Sequence, residues 1–76
     1  MTKLPLLNAR EMTKILQKLG FQLKRQEGSH MFFVHKDGRT TVIPNHGGEE
    51  IDRNLLNKIV KQDMGMSRDE FLKYIS

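Results

Sequence analysis

Two apolar runs joined by Asp37-Gly38 constrain this chain more than any other feature of its sequence. The first, His30-Met31-Phe32-Phe33-Val34-His35-Lys36, is rich in the aromatic and β-branched residues that suit a pleated surface. Asp-Gly readily adopts the positive backbone angles of a two-residue hairpin turn, so the chain returns antiparallel as Arg39-Thr40-Thr41-Val42-Ile43. With that loop length Lys36 pairs with Arg39, and counting outward brings His30 opposite Asn45. Pro44 cannot donate to a sheet ladder; it closes the strand and opens a loop over residues 45–50 that holds the flexible Gly47-Gly48 pair.

Before the hairpin, Phe21-Gln22-Leu23-Lys24-Arg25-Gln26 begins with apolar and polar residues in alternation, which predicts a further, half-buried strand turned by Glu27-Gly28-Ser29. Helical patterns flank the three strands. Asn8 caps a first helix with Glu11 at its third position, Leu7 and Met12 stand at the staple positions, and Met12, Ile15, Leu16 and Leu19 recur at helical spacing up to Gly20. A second helix follows Asp52, its apolar stripe formed by Leu55, Leu56, Ile59 and Val60, and Gly65 stops it. Ser67 and Glu70 form a capping box for a short last helix, with Met66 and Phe71 as its staple and Leu72 and Ile75 on its apolar side. Helices on one face of a small antiparallel sheet make an α+β two-layer sandwich, a single domain over residues 1–76.

Such a chain has no room for a deep substrate cavity, since a domain of this size buries only about 60% of the surface its unfolded form exposes. Any chemistry therefore sits on an open face or shallow groove, which favours a macromolecular substrate. Thirteen Lys and Arg against nine Asp and Glu give a net charge of +4, the balance that attracts phosphate backbones or an acidic partner. The absence of cysteine excludes disulfides and thiolate chemistry and suits a reducing cytoplasm. The run Leu4-Pro5-Leu6-Leu7 is too short for a signal sequence or a membrane span. Three histidines without aspartate or cysteine at ligand spacing make a weak metal case, and no cofactor is expected.

Among the titratable groups, His30 has both a fixed local frame and an exposed position at the mouth of a strand, directly after Gly28-Ser29. An imidazole takes and returns protons near neutral pH, which makes His30 the candidate general acid or base. His35 lies five residues on, so strand alternation sends it to the opposite face, where it is structural or superficial. His46 falls one residue beyond the expected partner of His30; it and Ser29 are candidate assisting groups. Lys24 and Arg25 on the first strand and Arg53, Lys58 and Lys61 on the second helix are candidate phosphate contacts, whose binding would be sequence-independent and weakened by salt. Phe32 and Phe33 raise the alternative of base stacking, but a core drawing on only five aromatic residues is expected to need both.

Taken together, Gly28-Ser29-His30, Asp37-Gly38-Arg39, Pro44-Asn45-His46-Gly47-Gly48-Glu49, Leu56-Asn57-Lys58-Ile59 and Ser67-Arg68-Asp69-Glu70-Phe71-Leu72 resemble the HicA toxin family of prokaryotic toxin–antitoxin systems. The resemblance spans nearly the whole chain, with Asn54-Leu55 standing where family members often have Gly-Thr. It implies a double-stranded-RNA-binding-like α-β-β-β-α fold, endoribonuclease activity on messenger RNA in the prokaryotic cytoplasm, neutralisation by a HicB-like antitoxin, and a catalytic histidine at His30. The chemistry stands on its own terms: an RNA 2′-hydroxyl attacks the adjacent phosphorus once a base removes its proton, and no metal is required. One imidazole cannot be acid and base in the same instant, so a second group or water is implied. Two rival readings stay open on the residues alone, a noncatalytic RNA-binding module of the same fold and a partner-binding adaptor.

Overall fold

Asn8 opens the first helix, α1 (Ala9–Lys18), in a computed structural model that describes residues 4–75; residues 1–3 and 76 of the expected 1–76 domain lie outside it. The capping box forms as the sequence predicts: Asn8 Oδ1 accepts from the Glu11 amide at 2.9 Å, and Glu11 Oε1 accepts from the Asn8 amide at 3.0 Å. Leu7 and Met12 are both buried, and Gly20, at φ +98°, takes the chain out of the helix.

Three strands follow, β1 (Gln22–Glu27), β2 (His30–Val34) and β3 (Thr40–Pro44), in one antiparallel sheet of order β1-β2-β3. The hairpin between β2 and β3 differs from the expected two-residue turn. The His35 amide donates to the Arg39 carbonyl at 2.8 Å and the Gly38 amide to the His35 carbonyl at 3.0 Å, so the loop is the three residues Lys36, Asp37 and Gly38, with Gly38 at φ +98°. A turn completed by one residue of positive φ is the other common hairpin solution. That extra loop residue moves the register by one, and His30 pairs with Pro44 rather than Asn45.

β1 is also not the half-buried strand its alternation suggests. All six of its residues are exposed, because the helices lie toward β3, at the other edge of the sheet. Its ladder with β2 shifts between Leu23 and Arg25, which leaves Lys24 as the extra residue of a β-bulge. Phe21, just before the strand, supplies the burial instead.

The second helix, α2 (Arg53–Lys58), starts where Asp52 accepts from the Leu55 amide at 3.2 Å, so Asn54-Leu55 does not displace its start. It continues as a π-helical turn, Ile59–Asp63, in which the Met64 amide reaches back five residues to the Ile59 carbonyl at 2.9 Å. Leu56, Ile59 and Val60 face the core, whereas Leu55 of the expected stripe is exposed. The last helix, α3 (Arg68–Leu72), has its Ser67–Glu70 capping box and buries Phe71, with Met66, Leu72 and Ile75 packed partly buried against the core.

Met31, Phe33 and Ile43 meet Met12, Leu16, Leu56, Val60 and Phe71 in one cluster, so the helices cover a single face of the sheet. The order α-β-β-β-α with a short closing helix is the α+β arrangement expected from the sequence. Burial of Phe33 alone contributes about 1.5–3 kcal/mol. The other face of the sheet carries no helix among the described residues, and it is there that the odd residues out of the core pattern, His30, Phe32 and Val34, point.

Candidate functional site at the open sheet face

Glu27 and His30 are direct partners across β1 and β2, which leaves Gly28 and Ser29 as a two-residue hairpin loop. Gly28 stands at φ +57°, a backbone angle that glycine adopts without the clash a β-carbon brings. This turn fixes His30 as the first residue of β2, exposed at one end of the sheet. The neighbouring loop is tied to the same place: the Asn45 amide donates to the Ser29 carbonyl at 2.5 Å, and the Ile51 amide donates to the Leu7 carbonyl at 2.7 Å. Between these anchors residues 46–49 form an exposed turn, closed by the Glu49 amide on the His46 carbonyl at 3.3 Å, with Gly47 at φ +69°. Ser29 is half-buried under this tie, and His46 is exposed one residue beyond it.

Strand register arranges the open face in rows. Glu27, His30 and Pro44 form the first, Arg25, Phe32 and Val42 the second, and Gln22, Val34 and Thr40 the third. Phe33 is in the core as expected, but Phe32 is not: the two neighbours point to opposite faces, and Phe32 lies two residues from exposed His30 on the same side. The Arg25 guanidinium lies over the Phe32 ring, 4.3 Å from its centroid, while Arg25 Nε donates to Glu27 Oε2 at 2.8 Å. Both members of that ion pair are well exposed, so it orients Arg25 more than it stabilises the fold. Because Lys24 is the bulged residue, it lines the same shallow concavity of about 330 Å³ as Arg25, Phe32 and Val42.

The other candidates lie elsewhere. Arg53, Lys58 and Lys61 are exposed on the helical layer, so the structure divides the expected phosphate contacts between two layers and brings only Lys24 and Arg25 to the face of His30. His35 is structural. Its Nε2 lies 3.0 Å from the Leu19 carbonyl, which can only accept, so Nε2 carries the hydrogen, and Nδ1 faces Asp37, 3.1 Å from its amide and 3.0 Å from its Oδ1. The ring also meets Phe21 edge-on, with centroids 5.0 Å apart. His30 and His35 thus stand on opposite faces and form no dyad. Among the described residues no three histidine or acidic side chains gather where they could hold a metal ion.

Asp37 and Arg39 hold the far end of the hairpin. Hydrogen bonding from the Arg39 amide, at 3.0 Å, with help from the Arg39 guanidinium, keeps the Asp37 carboxyl below its ordinary range. The same guanidinium donates to the Met64 carbonyl, and Thr41 Oγ1 donates to Asp63 Oδ2 at 2.9 Å. Asp37-Gly38-Arg39 is therefore a clamp between the hairpin and the end of the second helix.

A two-layer α+β domain with a histidine at the end of an open, cation-flanked sheet face is the class these features define. Residues 9–64 match the family model described as the HicA toxin of bacterial toxin-antitoxin. The chain is similar to a protein named "Probable mRNA interferase HicA" from Pseudomonas fluorescens (strain Pf0-1), with 38% identity over 52 residues that span 68% of this chain and 85% of that relative. The chain belongs to the HicA toxin family.

Three features of this face are not evident from the sequence: the Lys24 bulge, the half-buried place of Phe32 on the open side, and Glu27 directly across from His30. Phe32 carries a usable signal, since strand alternation puts it on the side of His30 as soon as His30 is taken as exposed. The bulge carries none, because it depends on the partner strand.

Proposed function

We propose that this chain is a single HicA-like domain that acts as a toxin in the cytoplasm, cleaving messenger RNA with His30 as the catalytic acid/base and without a metal. The observation that carries the reading is the position of His30, fixed by the Gly28-Ser29 turn at the edge of an open face that also bears Lys24 and Arg25. An RNA strand lying there presents a phosphate to cations and a 2′-hydroxyl to the imidazole.

His30 removes the 2′-hydroxyl proton as the 2′-oxygen bonds to phosphorus, or it delivers a proton to the departing 5′-oxygen as the P–O5′ bond breaks. His46, Ser29 or a water supplies the complementary role, and lysine or arginine offsets the charge that builds on the phosphorane. The products are a 2′,3′-cyclic phosphate and a 5′-hydroxyl. Lys24 and Arg25 hold the phosphates next to the cut; Arg53, Lys58 and Lys61 contact more distant ones. An exposed catalytic histidine has no lid among the described residues, which fits silencing from outside by a HicB-like antitoxin.

The test is cleavage of RNA in excess EDTA by the wild type and by His30→Ala. The wild type should cut to cyclic-phosphate ends, a 2′-deoxy substitution at the cut should block it, and His30→Ala should lose on the order of a hundredfold or more while keeping its circular-dichroism spectrum. Addition of the antitoxin should abolish cleavage. Full activity in a folded His30→Ala variant sinks the assignment, and RNA binding without cleavage by the wild type selects a noncatalytic module.

A further inference from the structure

We propose that Phe32 is a stacking platform for one unpaired nucleobase next to the cut, so that this open sheet face selects single-stranded RNA. The inference rests on the ribonuclease reading of the same face and adds what lies beside the scissile phosphate. Phe32 is held two residues from His30 on the middle strand, about 7 Å along it, a step comparable to that between consecutive nucleotides of an extended strand. Val34, Val42 and Thr40 border it on the same face, and the cations Lys24 and Arg25 line the concavity. The apolar area, Phe32 with Val34 and Val42 beside it, is edged by positive charge. That pattern suits a base with its phosphate better than it suits the broad apolar core of a protein interface.

Arg25 marks the stacking position. Its guanidinium, flat and delocalised, already lies on the Phe32 ring at 4.3 Å, held there by Glu27. A nucleobase takes that place on the ring, and Arg25 turns from Glu27 to the nucleotide's phosphate, which also accepts the bidentate fork of a guanidinium. A paired base is stacked within its own helix and cannot reach the ring, so duplex RNA is not a ligand of this face.

The experiment uses the full chain and a short single-stranded oligonucleotide that is 2′-O-methylated throughout, hence uncleavable, and carries one 2-aminopurine whose position is scanned. Binding should quench the fluorophore at one position. Phe32→Leu should bind about tenfold more weakly and lose the quench, Phe32→Tyr should keep both, and a duplex of the same sequence should not compete. Circular dichroism establishes that the variants are folded. Wild-type affinity and quench in Phe32→Leu overturn the platform while leaving cleavage by His30 intact. Unchanged RNA binding with abolished antitoxin binding in Phe32→Leu also overturns it and gives the face to a protein partner. If the wild type binds and quenches but cuts no ribose substrate, the ribonuclease reading fails and the platform stands.

Discussion

Asp37 illustrates how a surface residue of this chain acts through geometry. Its carboxylate accepts from the Arg39 amide and guanidinium, and its own amide donates to His35 Nδ1, so one residue sets the turn and the imidazole behind it. Its carboxyl is held below the ordinary range in the folded protein, so its contribution to stability is complete above the unfolded value of about 3.9 and is lost as pH falls through the lower folded value. Asp37→Asn should therefore have a lower urea midpoint than the wild type at pH 7, with the gap closing as pH falls through the lowered folded value. A gap that persists in acid would assign the effect to shape rather than charge. His30 and His35 differ by the same local rule: strand parity gives one an open face and the other the Leu19 carbonyl and the edge of Phe21.

Elements here are joined at points where one backbone angle decides the packing. Gly20 ends α1 at φ +98°, and a β-carbon placed there would lie 3.0 Å from His35 Nε2, the atom that binds the Leu19 carbonyl. Gly20→Ala should destabilise the fold by about 1–3 kcal/mol through backbone strain, roughly 4–24 °C in midpoint for a chain of this size. Thermal unfolding followed by circular dichroism measures it, and an unchanged midpoint would mean that the α1–β1 turn relaxes freely. At the other junction, the π turn ends α2 with Asp63 on Thr41 and the Met64 carbonyl on Arg39. The helix is widened where both of these ties to the hairpin are made.

Across the whole molecule, the two layers divide the positive charge. Lys24 and Arg25 stand on the sheet face of His30, and Arg53, Lys58 and Lys61 stand on the helical layer. For a single strand, each phosphate that a cation no longer neutralises lowers the slope of log affinity against log salt by about 0.7. Changing Lys24 and Arg25 together to alanine should lower the slope by about 1.4, and changing Lys58 and Lys61 together by less, but by a measurable amount. Titrations of one RNA over a range of salt concentrations decide it. An equal or larger drop from the helix pair would move the RNA track off the open face.

Helix boundaries, caps and strand order were legible in the sequence because each depends on residues a few positions apart: Asn8 with Glu11, Ser67 with Glu70, Gly20 and Gly65 as stops, and apolar periodicity between them. The opposite faces of His30 and His35 followed equally from parity within one strand. The pairing of His30 with Pro44, the Lys24 bulge, the full exposure of β1 and the placing of Phe32 beside Arg25 did not follow. Asp37-Gly38 is compatible with hairpin loops of two or three residues, and the backbone bonds of His35 with Arg39 and Gly38 show which one is occupied. An alternating strand is half-buried only if something covers it, and which of the two edge strands is covered is set by where the helices pack. Local steric preference is written in neighbouring residues; register and coverage belong to contacts between segments far apart in the chain, and those are fixed only when the layers close.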